Sequence, residues 1–390
     1  MEVIYQKREK MRNENRTFRF LIDIREFNKL EISQYLNISI PTVTKIVDKF
    51  LKDKLIIEIG TEQGKLGRKA TRYRFNPDAY FSIGIKIEKD YLSMILTNLD
   101  GTVLKRTTIH EEFGNEENFI FLIINELKKF LWEFDKKSSL KGIGIVLPGV
   151  VDPAKSFIKL GNSFTISTES LKEIEEEFEI PIYLGNEANA GALGEYLMNS
   201  HELADVKNML FLSIDTEIGS GIIIDKVLYR GGKESKAGEI GHITVVPDGR
   251  ECSCGFKGCL DQYCSNIALV KDFRDTFNYN FEEYDEIFQS EYIDTPKGKE
   301  IIGNYVKYLA RGILPALLLL NPDKIVIGGK ICNYKEYFEE PLKELLFKNN
   351  SFYDNPDILE FSTLADTAPL LGAAFLPLRS LYRTEVTTQL

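Results

Sequence analysis

The sequence predicts an α/β protein made of two parts, a small N-terminal domain of helices with a β-hairpin and a larger body. Residues 15–55 carry apolar positions at helical spacing, two alternating apolar segments follow, and strand-like and helix-like segments alternate from Phe81 onward. A chain of 390 residues is also long enough for more than one domain core. We predict domains at 1–78 and 79–390.

Charge divides the chain at the same place. The net charge is −10, so the protein as a whole is not a basic nucleic-acid binder. The first 75 residues hold 17 Lys and Arg against 10 Asp and Glu, a net charge of +7. The remainder holds 32 against 49, a net charge of −17. This asymmetry indicates a nucleic-acid-binding domain attached to an acidic body.

No apolar run is long enough to predict a membrane helix, which needs roughly 20 residues. The longest run, residues 313–320, is much shorter, and the N-terminus shows no apolar signal-peptide core. We therefore expect a cytoplasmic protein with no membrane partner. In that reducing compartment, the clustering of Cys252, Cys254 and Cys259 indicates a metal site before a disulfide.

The N-terminal domain is predicted to contain three short helices. The first apolar stripe closes at Phe27, and the second covers residues 30–36. A third helix starts after Ser39, which is a good N-cap ahead of Pro41. Two helices joined by a tight turn, the second with a polar and basic front, are typical of a helix-turn-helix, whose second helix fits the major groove of DNA.

Two alternating segments, residues 55–60 and 71–75, flank a glycine-rich and basic stretch. A hairpin of this kind predicts a wing that contacts phosphates or a minor groove. A three-helix interaction domain with solvated lysines is the alternative, which the positive charge and the hairpin disfavour. The predicted DNA-contacting residues are Ser39, Thr42, Thr44, Lys45 and Lys49 on the recognition helix, and Arg68 and Lys69 on the wing.

The acidic body contains a second group of residues with a chemical pattern. The group has the spacing H-x9-C-x-C-x4-C and consists of His242, Cys252, Cys254 and Cys259. One imidazole nitrogen and three thiolates suit tetrahedral Zn²⁺, and four protein ligands leave no position for a substrate water. We therefore predict a structural Zn²⁺ site, the alternative being three unrelated buried cysteines.

The metal-site pattern and several segments of the body resemble the ROK family, which groups transcriptional repressors with sugar kinases. The matching segments are GIGIVLPGVVD (142–152), GNEANAGALGE (185–195), GSGIIIDKVLYRGG (219–232), EIGH (239–242), IVIGG (325–329) and LLGAAF (370–375). The family's repressors carry a winged helix-turn-helix in front of the body and its kinases do not. The xylose-repressor-like regulators are therefore the most similar subgroup.

The resemblance implies an actin-like or hexokinase-like body of two subdomains with a sugar cleft between them. The smaller subdomain would span about 79–190 plus the C-terminal helix, and the larger about 191–375. It also implies that the His and Cys set holds zinc. The positions that match the family's sugar contacts are Asn162, Asn186, Glu187, Glu239, His242 and Asp261.

Some of these positions have a simpler interpretation. Asn186 and Glu187 also fit the capping of a helix over residues 188–196, and Asn162 fits a turn. The family more often has Glu where Asp261 stands, so a shorter side chain would retreat from the sugar or need a water.

Kinase activity would require two phosphate-binding loops and a base. The family's first loop reads D-x-G-G-T where this chain has residues 86–90, and its second reads G-T-G-x-G where this chain has residues 215–219. Both glycines of the first loop are gone and two acids, Glu88 and Asp90, stand in that loop, while two glycines of the second loop have become Asp215 and Glu217. Carboxylates repel a polyphosphate and block close approach of the backbone. The kinase base is an Asp after an Asn, whereas Glu187 stands there. We predict that the protein is not an enzyme; a residual sugar kinase is the main alternative, and a zinc hydrolase a weaker one.

The sequence thus predicts a sugar-responsive, DNA-binding transcriptional regulator. It is expected to act as a homodimer or higher homo-oligomer that represses carbohydrate-utilisation genes at operator DNA. A monosaccharide effector such as xylose or glucose would release it, because the sugar cleft is kept and the ATP site is altered.

Overall fold

The computed structural model describes residues 2–63, 69–88, 91–111, 116–149, 157–160, 164–199, 202–203, 205–232, 236–348, 350–379 and 381. The predicted site residues Arg68 and Asn162 lie outside these ranges, as do Lys89 and Asp90 of the first predicted phosphate loop. Within the same ranges, no helix combines the length and the apolar character needed to cross a membrane.

The N-terminal domain folds as a winged helix-turn-helix. Its elements are α1 (Glu2–Ile24), β1 (Glu26–Phe27), α2 (Lys29–Leu36), α3 (Ile40–Lys52), β2 (Ile56–Gln63) and β3 (Lys69–Phe75). The strands form an antiparallel sheet in the order β1-β3-β2. The core includes Leu21, Ile32, Val47 and Phe75, all nearly or fully buried. The helices therefore bury their apolar faces, as their spacing predicts.

The end of the first helix differs from the prediction. The apolar stripe predicts a helix closing at Phe27, but α1 ends at Ile24 and Phe27 lies in β1. Arg25 adopts a left-handed conformation with φ of 64°, which ends the helix, and Phe27 then pairs with Tyr73 of β3. A buried Phe fits a helix stripe and a strand equally well, so its spacing alone was ambiguous.

The body begins with a five-stranded sheet and its helices. The elements of this first half are β4 (Phe81–Ile87), β5 (Tyr91–Asn98), β6 (Val103–His110), α4 (Glu116–Phe130), β7 (Leu140–Leu147), β8 (Phe157–Leu160), β9 (Phe164–Ser167), α5 (Thr168–Phe178), β10 (Ile182–Asn186) and α6 (Glu187–Met198). The sheet order is β10-β7-β4-β5-β6, in which β4 pairs antiparallel with β5 and parallel with β7. β4 is buried along its whole length, as a strand covered on both faces should be.

The second half of the body repeats this sheet order. Its elements are β11 (Met209–Ile214), β12 (Ile218–Ile224), β13 (Val227–Tyr229), α7 (Asp261–Cys264), α8 (Asn266–Phe277), α9 (Tyr284–Gln289), α10 (Pro296–Leu320), β14 (Lys324–Gly328), α11 (Glu339–Phe347), β15 (Leu359–Phe361) and α12 (Ala368–Leu378). The sheet order is β13-β12-β11-β14-β15, so β11 takes the place that β4 has in the first sheet. Two such halves confirm the predicted α/β body.

Helices α6 and α12 join the two halves. α6 packs on β11 and β12, α12 packs on β4 and β7, and the two helices pack against each other. Their approach is very close: a Cβ on Gly372 would lie 1.8 Å from the carbonyl oxygen of Ala190. Glycine is therefore required at this crossing by space alone, and the LLGAAF segment serves helix packing between the halves.

Candidate functional site

A buried ion cluster lies where the two halves meet. The ammonium of Lys86 is 3.1 Å from Glu88 Oε1 and 3.1 Å from Asp215 Oδ2. It also lies 3.4 Å from Glu187 Oε1. The Lys86 side chain is only 3% exposed, and none of the three acids exceeds 9%. Because buried charges are tolerated only when paired, these four residues, the Lys86 cluster, form one electrostatic unit.

Two polar residues of the second half complete the cluster. Ser213 Oγ donates to Glu187 Oε1 at 2.8 Å, and Asn266 Nδ2 donates to Asp215 Oδ1 at 3.2 Å. Lys86 comes from β4 of the first half. The cluster thus holds its carboxylates with donors from both halves of the body.

The cluster shifts the ionisation of its members. Burial acts to lower the pKa of Lys86, but the surrounding carboxylates, Asp215 foremost, outweigh it and raise that pKa well above its usual range. Burial raises the pKa of Glu88 to about 7, although Lys86 opposes the shift. Burial also raises the pKa of Tyr91, whose ring centroid lies 5.9 Å from Lys86 Nζ. Lys86 is therefore charged at neutral pH, while Glu88 is partly protonated.

Four of the predicted sugar-binding residues lie around one carboxylate, that of Glu217. Its desolvation raises the pKa of Glu217, and Asp261 adds to the shift. Glu187, Glu239 and His242 lie within electrostatic range of the same group. The chain positions of these residues are far apart, so the fold brings them together. Sequence reasoning assigned Glu217 only to a phosphate loop and missed its place among these residues.

Asn186 and Glu187 differ in what they contact. Asn186 caps α6, because its Oδ1 accepts from Asn189 N at 2.9 Å, and its Nδ2 donates to Gly149 O at 2.8 Å. The capping that the sequence allows for Asn186 is therefore present. Glu187 is the first residue of α6, yet its side chain turns to Lys86 instead of capping the helix.

Asp261 is already engaged by the protein. Its Oδ1 accepts from Ile218 N at 2.9 Å, and its Oδ2 accepts from Gln262 Nε2 at 3.2 Å. Burial raises the pKa of Asp261. The bond from Ile218 ties the start of α7 to β12.

The four predicted metal ligands converge. Their ligand atoms all lie within 4.8 Å of one another. His242 Nδ1 is 3.6 Å from Cys252 Sγ, and Cys254 Sγ is 3.6 Å from Cys259 Sγ. Metal–sulfur bonds of about 2.3 Å would place two sulfurs of a tetrahedral zinc site roughly 3.8 Å apart. The cluster therefore fits a single tetrahedral metal ion.

The loop that carries these four residues, 242–259 (the metal loop), depends on Gly258. Its φ is 75°, and a Cβ there would lie 1.7 Å from the carbonyl oxygen of Val246. The Gly258 carbonyl accepts from Val245 N at 2.8 Å, while Cys252 N donates to Phe256 O at 2.9 Å. These backbone bonds fold the loop back on itself, so ligands from its two ends reach one point.

Helix α3 presents the predicted base-reading residues. Ser39 holds the N-cap position, but its Oγ bonds to Thr42 Oγ1 at 2.9 Å and makes no side-chain bond to a backbone amide. Ser39 is therefore the N-cap residue that the sequence predicts, although its hydroxyl bonds to the Thr42 hydroxyl and not to a backbone amide. Thr42 and Thr44 are half-buried, and Lys45 is exposed.

The other cationic residues predicted to contact DNA from the N-terminal domain (the head) differ in their surroundings. Lys49 Nζ lies 2.6 Å from Glu14 Oε2 of α1, so this ammonium already has a partner within the domain. Lys69 is exposed at the start of β3. Arg68 is outside the described residues.

Comparison with known proteins identifies the family. Residues 82–380 match the sequence model of the ROK family. The protein belongs to the ROK family. Over 347 residues it is 30% identical to the xylose repressor of Bacillus subtilis (strain 168), covering 88% of this chain and 89% of that repressor. The resemblance drawn from the motifs is therefore confirmed.

Two solved ROK structures share the fold. A ROK family transcriptional regulator, a homologue of the E. coli MLC protein, has a TM-score of 0.75 at 22% identity, covering 96% of this chain and 97% of its own. A ROK glucokinase from Streptomyces griseus, solved with glucose and AMPPNP, has a TM-score of 0.66 at 23% identity, covering 76% of this chain and 98% of its own. The regulator thus matches the head and body together, and the kinase is a shorter chain.

Lys86 is the main residue that sequence reasoning missed. The first family loop begins with Asp, and this chain has Lys86 at that position. From the sequence, Glu88 and Asp215 were interpreted as unpaired charges that repel a polyphosphate. The structure pairs both with Lys86. A lysine within the apolar strand FSIGIKI was the available signal, because a buried lysine is rare unless it is paired.

Proposed function

We propose that the protein is a sugar-responsive transcriptional repressor of carbohydrate-utilisation genes, released from operator DNA by a monosaccharide such as xylose or glucose. The observation that carries the proposal is the Lys86 cluster. It joins the two segments that stand at the positions of the kinase phosphate loops, in a chain whose N-terminal domain is a winged helix-turn-helix. The relative named xylose repressor, aligned over almost the whole chain, supports the same function.

The head supplies the DNA contacts in this proposal. A recognition helix lies in the major groove with its N-terminal side chains against base edges, which assigns that role to Thr42, Thr44 and Lys45 of α3. Lys69 on the wing contacts phosphates. A homodimer places two heads on half-sites separated by about one helical turn or a multiple of it. The acidic body repels DNA, so the basic heads dock first.

The meeting point of the two halves supplies the sugar contacts. Sugar hydroxyls both donate and accept, and carboxylates, amides and imidazoles answer both needs. The described contacts of Glu187 go to Oε1, so Oε2 is the oxygen offered to a hydroxyl. The proposed sugar-binding set is Asn162, Asn186, Glu187, Glu239, His242 and Asp261. Sugar binding then changes the relation of the halves and lowers operator affinity, a coupling typically of about 1–3 kcal/mol.

The four-residue metal cluster holds a structural Zn²⁺ in this proposal. The metal supplies a cross-link between the ends of the loop and takes no part in chemistry, because all four ligands come from the protein. Glu239 lies three residues before His242, and Asp261 lies two residues after Cys259. The cross-link therefore fixes the two ends from which these acids reach the sugar.

A sugar kinase is the competing function, favoured by the glucokinase fold and by a carboxylate at position 187. A kinase base must be free to take the proton of the sugar hydroxyl. Glu187 is instead paired with Lys86 and accepts from Ser213. The kinase loops also need glycines for close approach to the phosphates, and acids stand there. We therefore propose that the protein transfers no phosphoryl group.

Fluorescence anisotropy of a labelled operator tests the proposal. The full-length protein is titrated with D-xylose, D-glucose and N-acetylglucosamine in turn, with and without Mg·ATP. One sugar should lower operator affinity by about 5–150-fold, and ATP should add nothing. Release by none of these sugars would contradict the proposed effector class. Sugar-dependent ADP formation at about 1 per second or faster would support the kinase instead.

Two variants separate the modules. Lys45→Ala should weaken operator binding by roughly 1–3 kcal/mol at one base position and leave sugar affinity unchanged. Glu239→Ala should retain operator binding and lose release by sugar. Glu239 is exposed and suits this test better than Asn186, whose removal also costs the cap of α6. A folded Glu239→Ala protein that no longer binds the operator would contradict the division of labour.

A further inference from the structure

The ion pair between Lys86 and Asp215 joins equivalent places in the two halves. Lys86 lies near the end of β4, and Asp215 directly follows β11, the strand in the matching position of the second sheet. Glu187 begins α6, the helix that packs between the halves. A single ammonium therefore contacts three segments that are distant along the chain.

The three acids of the cluster need a cation between them. Carboxylates this close in a buried site repel one another, and removing their counter-charge leaves uncompensated buried charge. Lys86 pairs with all three. A second lysine, Lys330, approaches from the second half, with its ammonium 5.8 Å from the Tyr91 ring centroid. Lys330 is thus close to the cluster without replacing Lys86 in it.

Glu187 is held by two donors on the same oxygen. Lys86 reaches Oε1 from the first half at 3.4 Å, and Ser213 reaches it from the second half at 2.8 Å. Two contacts, one from each half, fix the orientation of the carboxylate. A group already held in its binding orientation loses less freedom when a ligand arrives, which favours affinity.

We propose that Lys86 is a positioning residue, which holds Glu187 ready for the sugar and ties the two halves together without a nucleotide. The inference rests on the proposed function, because it takes Glu187 as a sugar contact. In a kinase, metal ions and phosphates carry the charge between the corresponding loops. In this protein the cation is a permanent side chain. Sugar affinity should therefore depend on the charge at position 86 and be independent of Mg·ATP.

Lys86→Met tests the inference, with Lys330→Met as its matched control. Both ammoniums lie near the ring of Tyr91, at 5.9 and 5.8 Å from its centroid, but it is Lys86 that contacts Glu187. Calorimetric titration of the full-length proteins with D-xylose, D-glucose and N-acetylglucosamine measures affinity, with and without Mg·ATP. Lys86→Met should lower the affinity for the sugar that binds the wild type by about tenfold or more, as the loss of a residue that orients a ligand-binding group typically does. Lys330→Met and Mg·ATP should leave it unchanged.

Charge rescue separates positioning from a general loss of structure. Adding Asp215→Asn to Lys86→Met removes one of the carboxylates that have lost their counter-ion. The double variant should regain part of the sugar affinity, because less repulsion acts on Glu187. Operator affinity equal to that of the wild type in both variants shows that the head and the dimer are intact.

Two results would overturn the inference: wild-type sugar affinity in folded Lys86→Met, or wild-type affinity that requires Mg·ATP. If the wild type binds none of the sugars, the proposed function fails instead, and hydrogen exchange then decides the role of Lys86. Amides of residues 187–191 that exchange faster in Lys86→Met than in Lys330→Met support the positioning role. Equal exchange in the two variants rejects it.

Discussion

The two halves of the body share one sheet order but contribute different chemistry. In each half a central strand pairs antiparallel with the next strand and parallel with a later one. The first half contributes the buried cation Lys86, and the second contributes Asp215 opposite it. The repeated topology brings the equivalent strand ends together. The residue types at those ends form an ion pair between the halves in this protein.

The halves also differ in what they insert between equivalent strands. Between β6 and β7 the first half has the helix α4, whereas between β13 and β14 the second half has α7–α10 and the metal loop. Glu239, His242 and Asp261 all lie in this second insertion. The four clustered His and Cys residues and three of the six proposed sugar contacts therefore lie in one half.

The largest effect is expected from a substitution in the second half. Cys259→Ser removes one of four ligands, so the purified protein should lose its zinc, with metal content falling from one equivalent to none by elemental analysis. Sugar response should fail with it, because Glu239 and Asp261 flank the loop. Cys332→Ser, in the same half but outside the cluster, should keep the metal. Wild-type protein without zinc but with normal sugar response would reject the site.

The next effect concerns the helix crossing that both halves share. Gly372→Ala places a Cβ against the backbone of α6 and should lower the free energy of unfolding by about 3 kcal/mol in a urea titration. Gly303→Ala, where a Cβ meets nothing within 4 Å in α10, is the control and should stabilise by up to about 1 kcal/mol. Equal effects of the two variants would show that the halves do not depend on this crossing.

A smaller, pH-dependent effect should come from Glu88 in the first half. Burial raises the pKa of Glu88 to about 7, so the folded state binds more protons than the unfolded state from about pH 4.5 to 7. Its contribution to stability therefore falls as pH rises through that range, on the order of 1–3 kcal/mol. Glu88→Gln removes this dependence. The free energy of unfolding of this variant, relative to that of the wild type, should therefore rise between pH 5 and pH 8. Parallel unfolding profiles for the two proteins would contradict the buried cluster.

The smallest effect is expected from an exposed ion pair between the halves, in contrast to the buried Lys86 cluster. Arg106 of β6 pairs with Asp366, which precedes α12, at 2.8 Å, but the two side chains are 39% and 45% exposed. Water and salt screen such a pair, so Arg106→Ala should cost less than about 1 kcal/mol and leave sugar affinity unchanged. A loss of sugar response in this variant would show that coupling runs through the surface and not through the Lys86 cluster.

Local pattern predicted most of the elements. The segments FSIGIKI and MLFLSI form β4 and β11, because a buried apolar run bounded by polar residues is a strong local signal for a strand. The two-residue strand β1 could not be predicted this way, since two residues show no periodicity. It forms because β3 offers a partner that lies far along the chain.

Sequence information alone was sufficient for the family, the α/β body and the grouping of one His with three Cys, because each follows from residue types at short spacing. The roles of Lys86 and Lys49 required the folded arrangement. Lys86 and Asp215 are 129 positions apart, and Lys49 and Glu14 are 35 apart. The charge state and partners of a side chain depend on every group near it in space, and for these residues the nearest groups come from remote parts of the chain.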